Sequence, residues 1–172
     1  MSTTFEKLPN EIIIDVFSYI PWYDMLISFW SLNKRFDSLV CSTLSNNGNS
    51  LNSGIIISNS LSYKKCSTIL FPLILNSSSL CASIERIHLD GKHSNAFDLL
   101  SEWLFTEKNI LRFSNLKSVF ITQCQSIRSI IGNLSYLIQY QLDNLTLMFR
   151  NLELWNISRS GYNMQMYRQT GK

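Results

Sequence analysis

The chain has 172 residues, 45% of them hydrophobic and 16% charged. That is enough for one globular domain, or a small module joined to a second unit. The formal net charge of +3 is uneven, with −2 in residues 1–44 and +5 in the remainder; no cluster of Lys and Arg with interleaved aromatics gives a nucleic-acid footprint. The longest apolar run, "ILFPLIL", is far below the roughly 20 residues that span a bilayer, so no membrane partner is expected.

The opening, "MSTTFEKLPNE", has no basic region followed by an apolar run and does not read as a secretory signal. An intracellular setting, cytoplasm or nucleus, is expected. The four cysteines, Cys41, Cys66, Cys81 and Cys124, are irregularly spaced and are expected to be reduced and mostly buried. In that setting the sequons at Asn76, Asn133, Asn144 and Asn156 stay unmodified.

The first predicted element begins at Pro9, which suits a first helical turn because its missing N–H costs nothing there. Glu11 favours the same end through the helix dipole. Ile12, Val16, Phe17 and Ile20 recur at helical spacing, and Ile13 and Ile14 widen that face. Pro21 stops the helix near Tyr19–Ile20. A second helix is expected over Asp24–Trp30, with Asp24 as its cap and Met25, Leu26 and Phe29 inward. Asn33 is the candidate cap of a third, with Phe36, Leu39 and Val40 buried. A three-helix bundle this small is near the lower limit of independent stability. Leu8, Pro9, Ile12 and Ile13 exceed what its interior holds, so some of them face outward or toward a partner.

The stretch "LPNEIIIDVFSYIPWYDMLISFWSLNKRFDSLV" resembles an F-box. The family's opening Leu-Pro-x-Glu-Ile falls at Leu8, Pro9, Glu11 and Ile12. Its Ile-Phe-Ser-Tyr-Leu-like segment falls at Val16, Phe17, Ser18, Tyr19 and Ile20, and its Asp at Asp24. Phe36 stands where the family often has Trp, followed by Leu39. Trp30-Ser31 replaces the customary Val-Cys. The resemblance covers about a quarter of the chain. It implies docking to the Skp-type adaptor of a Skp–cullin–F-box ubiquitin ligase, with Leu8, Pro9, Ile12 and Ile13 pressed into the adaptor and Phe36 supporting the contact.

Beyond it, "SNNGNSLNSGIIISNS" (45–60) reads as a linker in which "GIII" forms a short strand. A helix is predicted around Lys65–Leu75. A pattern then recurs: Ile84, Ile87 and Leu89; Leu116, Val119 and Ile121, with Cys124; Leu142, Leu145 and Leu147. Each set occupies positions 1, 4 and 6 of its segment. Between them, Phe97, Leu100, Leu104 and Phe105, and then Ile127, Ile130, Ile131, Leu134 and Ile138, have helical spacing, with Asn95 and Ser126 as caps. The reading is β–α–β–α–β, similar to a short irregular leucine-rich-repeat solenoid; an ordinary small α/β domain is the alternative. On a repeat reading, Arg86, His88, Lys117, Phe120, Asn144, Thr146 and Met148 face outward and are candidates for binding a substrate protein. Residues 158–172 lose the apolar periodicity and are expected to be a disordered tail. A truncated or divergent repeat array is one account of that ending.

The expected organisation is therefore an F-box at 3–44, a linker at 45–60, an α/β leucine-rich-repeat-like region at 61–157, and the tail. Chemistry is sparse. His88 and His93, with Asp90, suggest a metal site only superficially, since zinc takes three or four converging ligands and no second cluster exists. No G-x-S-x-G elbow and no Walker lysine are present. No cofactor and no enzymatic activity are expected. Two readings remain: a substrate-recruiting ligase adaptor, or an F-box-containing binding protein that delivers nothing for ubiquitination.

Overall fold

The computed structural model describes residues 4–45, 54–58, 61–90, 104, 106, 109, 112–124, 138, 141–149, 153–158 and 161–168. The chain divides into two compact units, Met1–Ile55 and Ile56–Lys172. The division falls inside the stretch expected to be a linker.

The first unit opens with a 3-10 turn, Thr4–Lys7, then α1 (Asn10–Tyr19), α2 (Trp22–Phe29) and α3 (Lys34–Ser45). Pro9 and Pro21 immediately precede α1 and α2 in extended conformation. Each gives its carbonyl to the first helical bond, from Ile13 at 3.2 Å and Met25 at 2.9 Å. Neither proline has an N–H to lose. Pro21 also forces Ile20 to ψ 132, which ends α1. α2 thus starts at Trp22, not Asp24, and Asp24 lies in its first turn rather than at the cap. Asn33 caps α3 as its position suggests: its Oδ1 accepts from the amides of Arg35 at 3.0 Å and Phe36 at 3.1 Å. Between α2 and α3, Ser31 has φ 68. Its amide donates to Asp37 Oδ1 at 2.7 Å, which holds the left-handed turn.

The core of this unit is Ile13, Phe17, Trp22, Met25, Leu26, Phe36, Leu39, Val40 and Leu44. A ring cluster lies among them. Phe29 meets Phe17 at 4.8 Å, Phe5 at 5.6 Å and Phe36 at 5.8 Å, and Phe5 stacks on Phe36 at 5.9 Å. Edge and offset contacts of this kind add about 0.5–1.5 kcal/mol each beyond area burial.

The second unit contains a six-stranded sheet in sequence order: β1 (Ile55–Ile57), β2 (Arg86–Asp90), β3 (Ser118–Cys124), β4 (Asn144–Phe149), β5 (Glu153–Ser158) and β6 (Gly161–Arg168). β2, β3 and β4 are parallel. Arg86 pairs with Ser118 and Ser118 with Asn144, steps of 32 and 26 residues. Those are the spacings of the recurring apolar pattern, so sheet register and sequence repeat coincide. All nine pattern residues, from Ile84 to Leu147, are buried. β-Branched and leucine side chains at alternate positions form the inner face, and fully burying one contributes about 1.5–3 kcal/mol.

β4, β5 and β6 pair antiparallel. Gly161–Arg168, within the stretch expected to be a tail, is a strand. Its sequence, "GYNMQMYR", has lost the spacing of the repeat but alternates large and polar residues from Tyr162 to Met166.

Between β1 and β2 lies helical chain: α4 (Tyr63–Lys65), a π-helical turn (Cys66–Leu70), α5 (Phe71–Leu75) and α6 (Ser78–Ser83). The helix expected near Lys65–Leu75 is present but starts earlier and widens at the π turn. Ser62 caps α4 and Ser77 caps α6 through their hydroxyls, each accepting at 3.3 Å. The helices expected between the strands lie outside the described residues, apart from Leu104 and Ile138, which are helical; Leu104 is buried.

Candidate protein-docking surfaces

In the first unit, the candidate residues separate into two kinds. Leu8 is half-buried and Pro9 exposed, and Ile12 keeps 48% of its surface. Ile13 is fully buried and Phe36 nearly so. Ile13 therefore has no free surface to press into a partner, and Phe36 belongs to the ring cluster. Both support the surface from within. The reason is helical phase: Ile13 lies on the same side as Phe17, four residues on, and that side packs inward. Ile12 lies one position around, with Tyr19 two turns further along. Tyr19 is 81% exposed, and Ile27 and Leu32 are also exposed. These three were not among the expected docking residues; the seven-residue step from Ile12 is a signal for Tyr19 alone.

The segment that carries Leu8 and Pro9 is held by a residue without an expected role. Arg35, on α3, donates from Nε to Asn10 Oδ1 at 2.7 Å, from Nη1 to the Glu6 carbonyl at 2.6 Å, and from Nη2 to the Leu8 carbonyl. No sequence pattern marks a guanidinium whose partners are two backbone carbonyls and one side-chain amide.

In the second unit, register places the expected substrate residues in rows. Arg86, Ser118 and Asn144 form one; His88, Phe120 and Thr146 the next; Asp90, Thr122 and Met148 the third. They have the opposite phase to the buried pattern, and all are half-buried except the exposed Asn144. Lys117 does not belong with them. It precedes β3, shares the phase of Val119, and pairs with Glu85 at 2.9 Å. Its backbone carbonyl accepts from the amides of Asp143 and Asn144. The structure thus puts Lys117 at the sheet's starting edge, where it joins neighbouring segments.

The middle row is the most distinctive. The His88 ring meets Phe120 edge-on, with centroids 4.7 Å apart. Its Nε2 is buried and has no hydrogen-bond partner among the described residues. Burial lowers the His88 pKa, with the nearby Asp90 carboxylate opposing. The ring is therefore neutral at pH 7. In the third row, Thr122 Oγ1 donates to Asp90 Oδ1 at 2.8 Å. His93 lies outside the described residues.

Burial also raises the pKa of the Cys66 thiol and pushes that of Cys81 up to about 11, the latter opposed by Arg112. No described helix is long and apolar enough to cross a membrane. No family model, curated protein or solved structure matches the chain.

Proposed function

We propose that the chain is a non-catalytic adaptor that recruits a substrate protein to a Skp–cullin–F-box ubiquitin ligase. In this reading the first unit docks on the Skp-type adaptor and the sheet of the second unit binds the substrate. The supporting sequence is the F-box resemblance of residues 8–40. The observation that carries the reading is the division of labour at the start of α1: Pro9 and Ile12 are exposed beside Leu8, while Ile13 and Phe36 anchor the same segment from inside. An exposed apolar group on a rigid support has the properties of a binding anchor, and truncating such an anchor costs on the order of 2 kcal/mol. The half-buried row His88–Phe120–Thr146 supports the substrate role of the second unit.

An adaptor acts by proximity, holding its cargo near another subunit's transfer machinery. The test is reconstitution. The full chain is combined with a Skp-type adaptor, a cullin and a ubiquitin-charging system, and proteins captured by the second unit are followed for ubiquitin transfer. Cullin-dependent transfer that disappears on Ile12→Asp supports the proposal. Capture of the adaptor without any transfer favours a binding protein acting outside a ligase.

A further inference from the structure

The 3-10 turn Thr4–Lys7 and residues 8–9 carry no long helix of their own, yet they present the exposed end of the docking edge. Three kinds of contact tie this segment to α3. Phe5 stacks on Phe36. Asn33 Nδ2 donates to Glu6 Oε1 at 3.4 Å. Arg35 spreads its guanidinium over the Glu6 carbonyl, the Leu8 carbonyl and Asn10 Oδ1. The ring contact fixes one end of the turn. Arg35 reaches both sides of Lys7 and also the first residue of α1.

We propose that Arg35 is the positioning residue of the docking edge, holding Leu8 and Pro9 in their binding geometry before a partner arrives. This rests on the reading of that edge as a docking surface. The planar fork matters: its donors diverge toward three acceptors, whereas a lysine presents its donors from one point. Order supplied in the free protein is not charged against binding, so losing the fork weakens affinity without removing any contacting side chain.

The experiment uses the full chain, with Arg35→Met, Arg35→Lys and Asn10→Ala. Affinity for a Skp-type adaptor is measured together with amide hydrogen exchange. The expected result is binding about tenfold weaker in Arg35→Met, with smaller losses in the other two. Faster exchange is expected at the Leu8 amide, which donates to the Phe5 carbonyl, while α3 amides from Val40 to Leu44 keep their protection. Wild-type affinity in Arg35→Met despite a loosened segment overturns the positioning role and leaves the docking reading intact. Unchanged exchange at Leu8 in Arg35→Met overturns the clamp itself. If exchange rises throughout α3 in Arg35→Met, Asn10→Ala decides, because it removes one acceptor at the exposed start of α1: unchanged affinity there overturns the proposal. A wild-type chain that does not bind overturns the docking reading and this inference with it.

Discussion

Ile12 and Ile13 are adjacent on α1, but Ile13 is fully buried and Ile12 keeps 48% of its surface. One step of the helix separates an interior anchor from an exposed apolar group. The two residues therefore have opposite mutational signatures. Ile13→Ala should destabilise the first unit by about 2–5 kcal/mol through lost burial and the cavity left behind. Ile12→Ala should change stability by less than about 1 kcal/mol, since half of that side chain is already in water. Denaturant unfolding followed by circular dichroism separates them.

Asn33 is the second point of fragility. It accepts two amides at the start of α3, and that start also carries Arg35 and Phe36. Asn33→Ala should cost about 1 kcal/mol, and Asn33→Asp or Asn33→Ser should recover most of it. Thermal unfolding of the three variants is the check.

The His88 pair gives a pH prediction. Its folded pKa lies below the ordinary 6.5, because burial disfavours the charged ring. Above pH 6.5 both folded and unfolded chains hold this ring neutral, and its contribution to stability is flat. As pH falls below 6.5 the unfolded chain takes up the proton first, so stability drops until the folded pKa is passed. His88→Gln should lose less stability than wild type between pH 7 and pH 5. Equal losses in both would mean that His88 is not held neutral by the fold.

The thiols offer a fourth test. Cys66 and Cys81 are buried and burial raises both pKa values, Cys81 to about 11. The thiolate is the reactive form, so at pH 8 both should resist alkylation in the native chain. Cys41, which is half-buried, should react sooner. Mass spectrometry of labelled peptides in native and denaturing buffer gives the order.

Much of the second unit was legible because its apolar residues recur at positions 1, 4 and 6 of each segment. Ile87, Val119 and Leu145, and then Leu89, Ile121 and Leu147, are register neighbours in the sheet. Parity alone could have excluded Lys117, which differs by an odd number of residues from Phe120. The phase of α1 was harder: Ile12, Ile13 and Ile14 are consecutive, and three like residues in a row leave the inward one open. Packing decides it: Ile13 shares the buried side with Phe17, whose ring meets Phe29, while Ile12 does not. Phe5 and Arg35 went unread because each acts across the fold, one by stacking and the other on backbone carbonyls. The strand Gly161–Arg168 went unread because its alternation from Tyr162 to Met166 was set against an expectation of continued repeats.

Calorimetry on the full chain with a Skp-type adaptor from the same organism is the most direct test of the docking edge. Wild type is compared with the double variant Pro9→Ala, Ile12→Asp, and circular dichroism confirms that each is folded. Both substitutions fall on exposed residues, so the helices should survive while a charge enters the proposed contact. Sub-micromolar binding by wild type, lost in the folded double variant, is the expected result. A well-folded wild type that does not bind the adaptor, or a double variant that binds as tightly, would contradict the assignment of this edge.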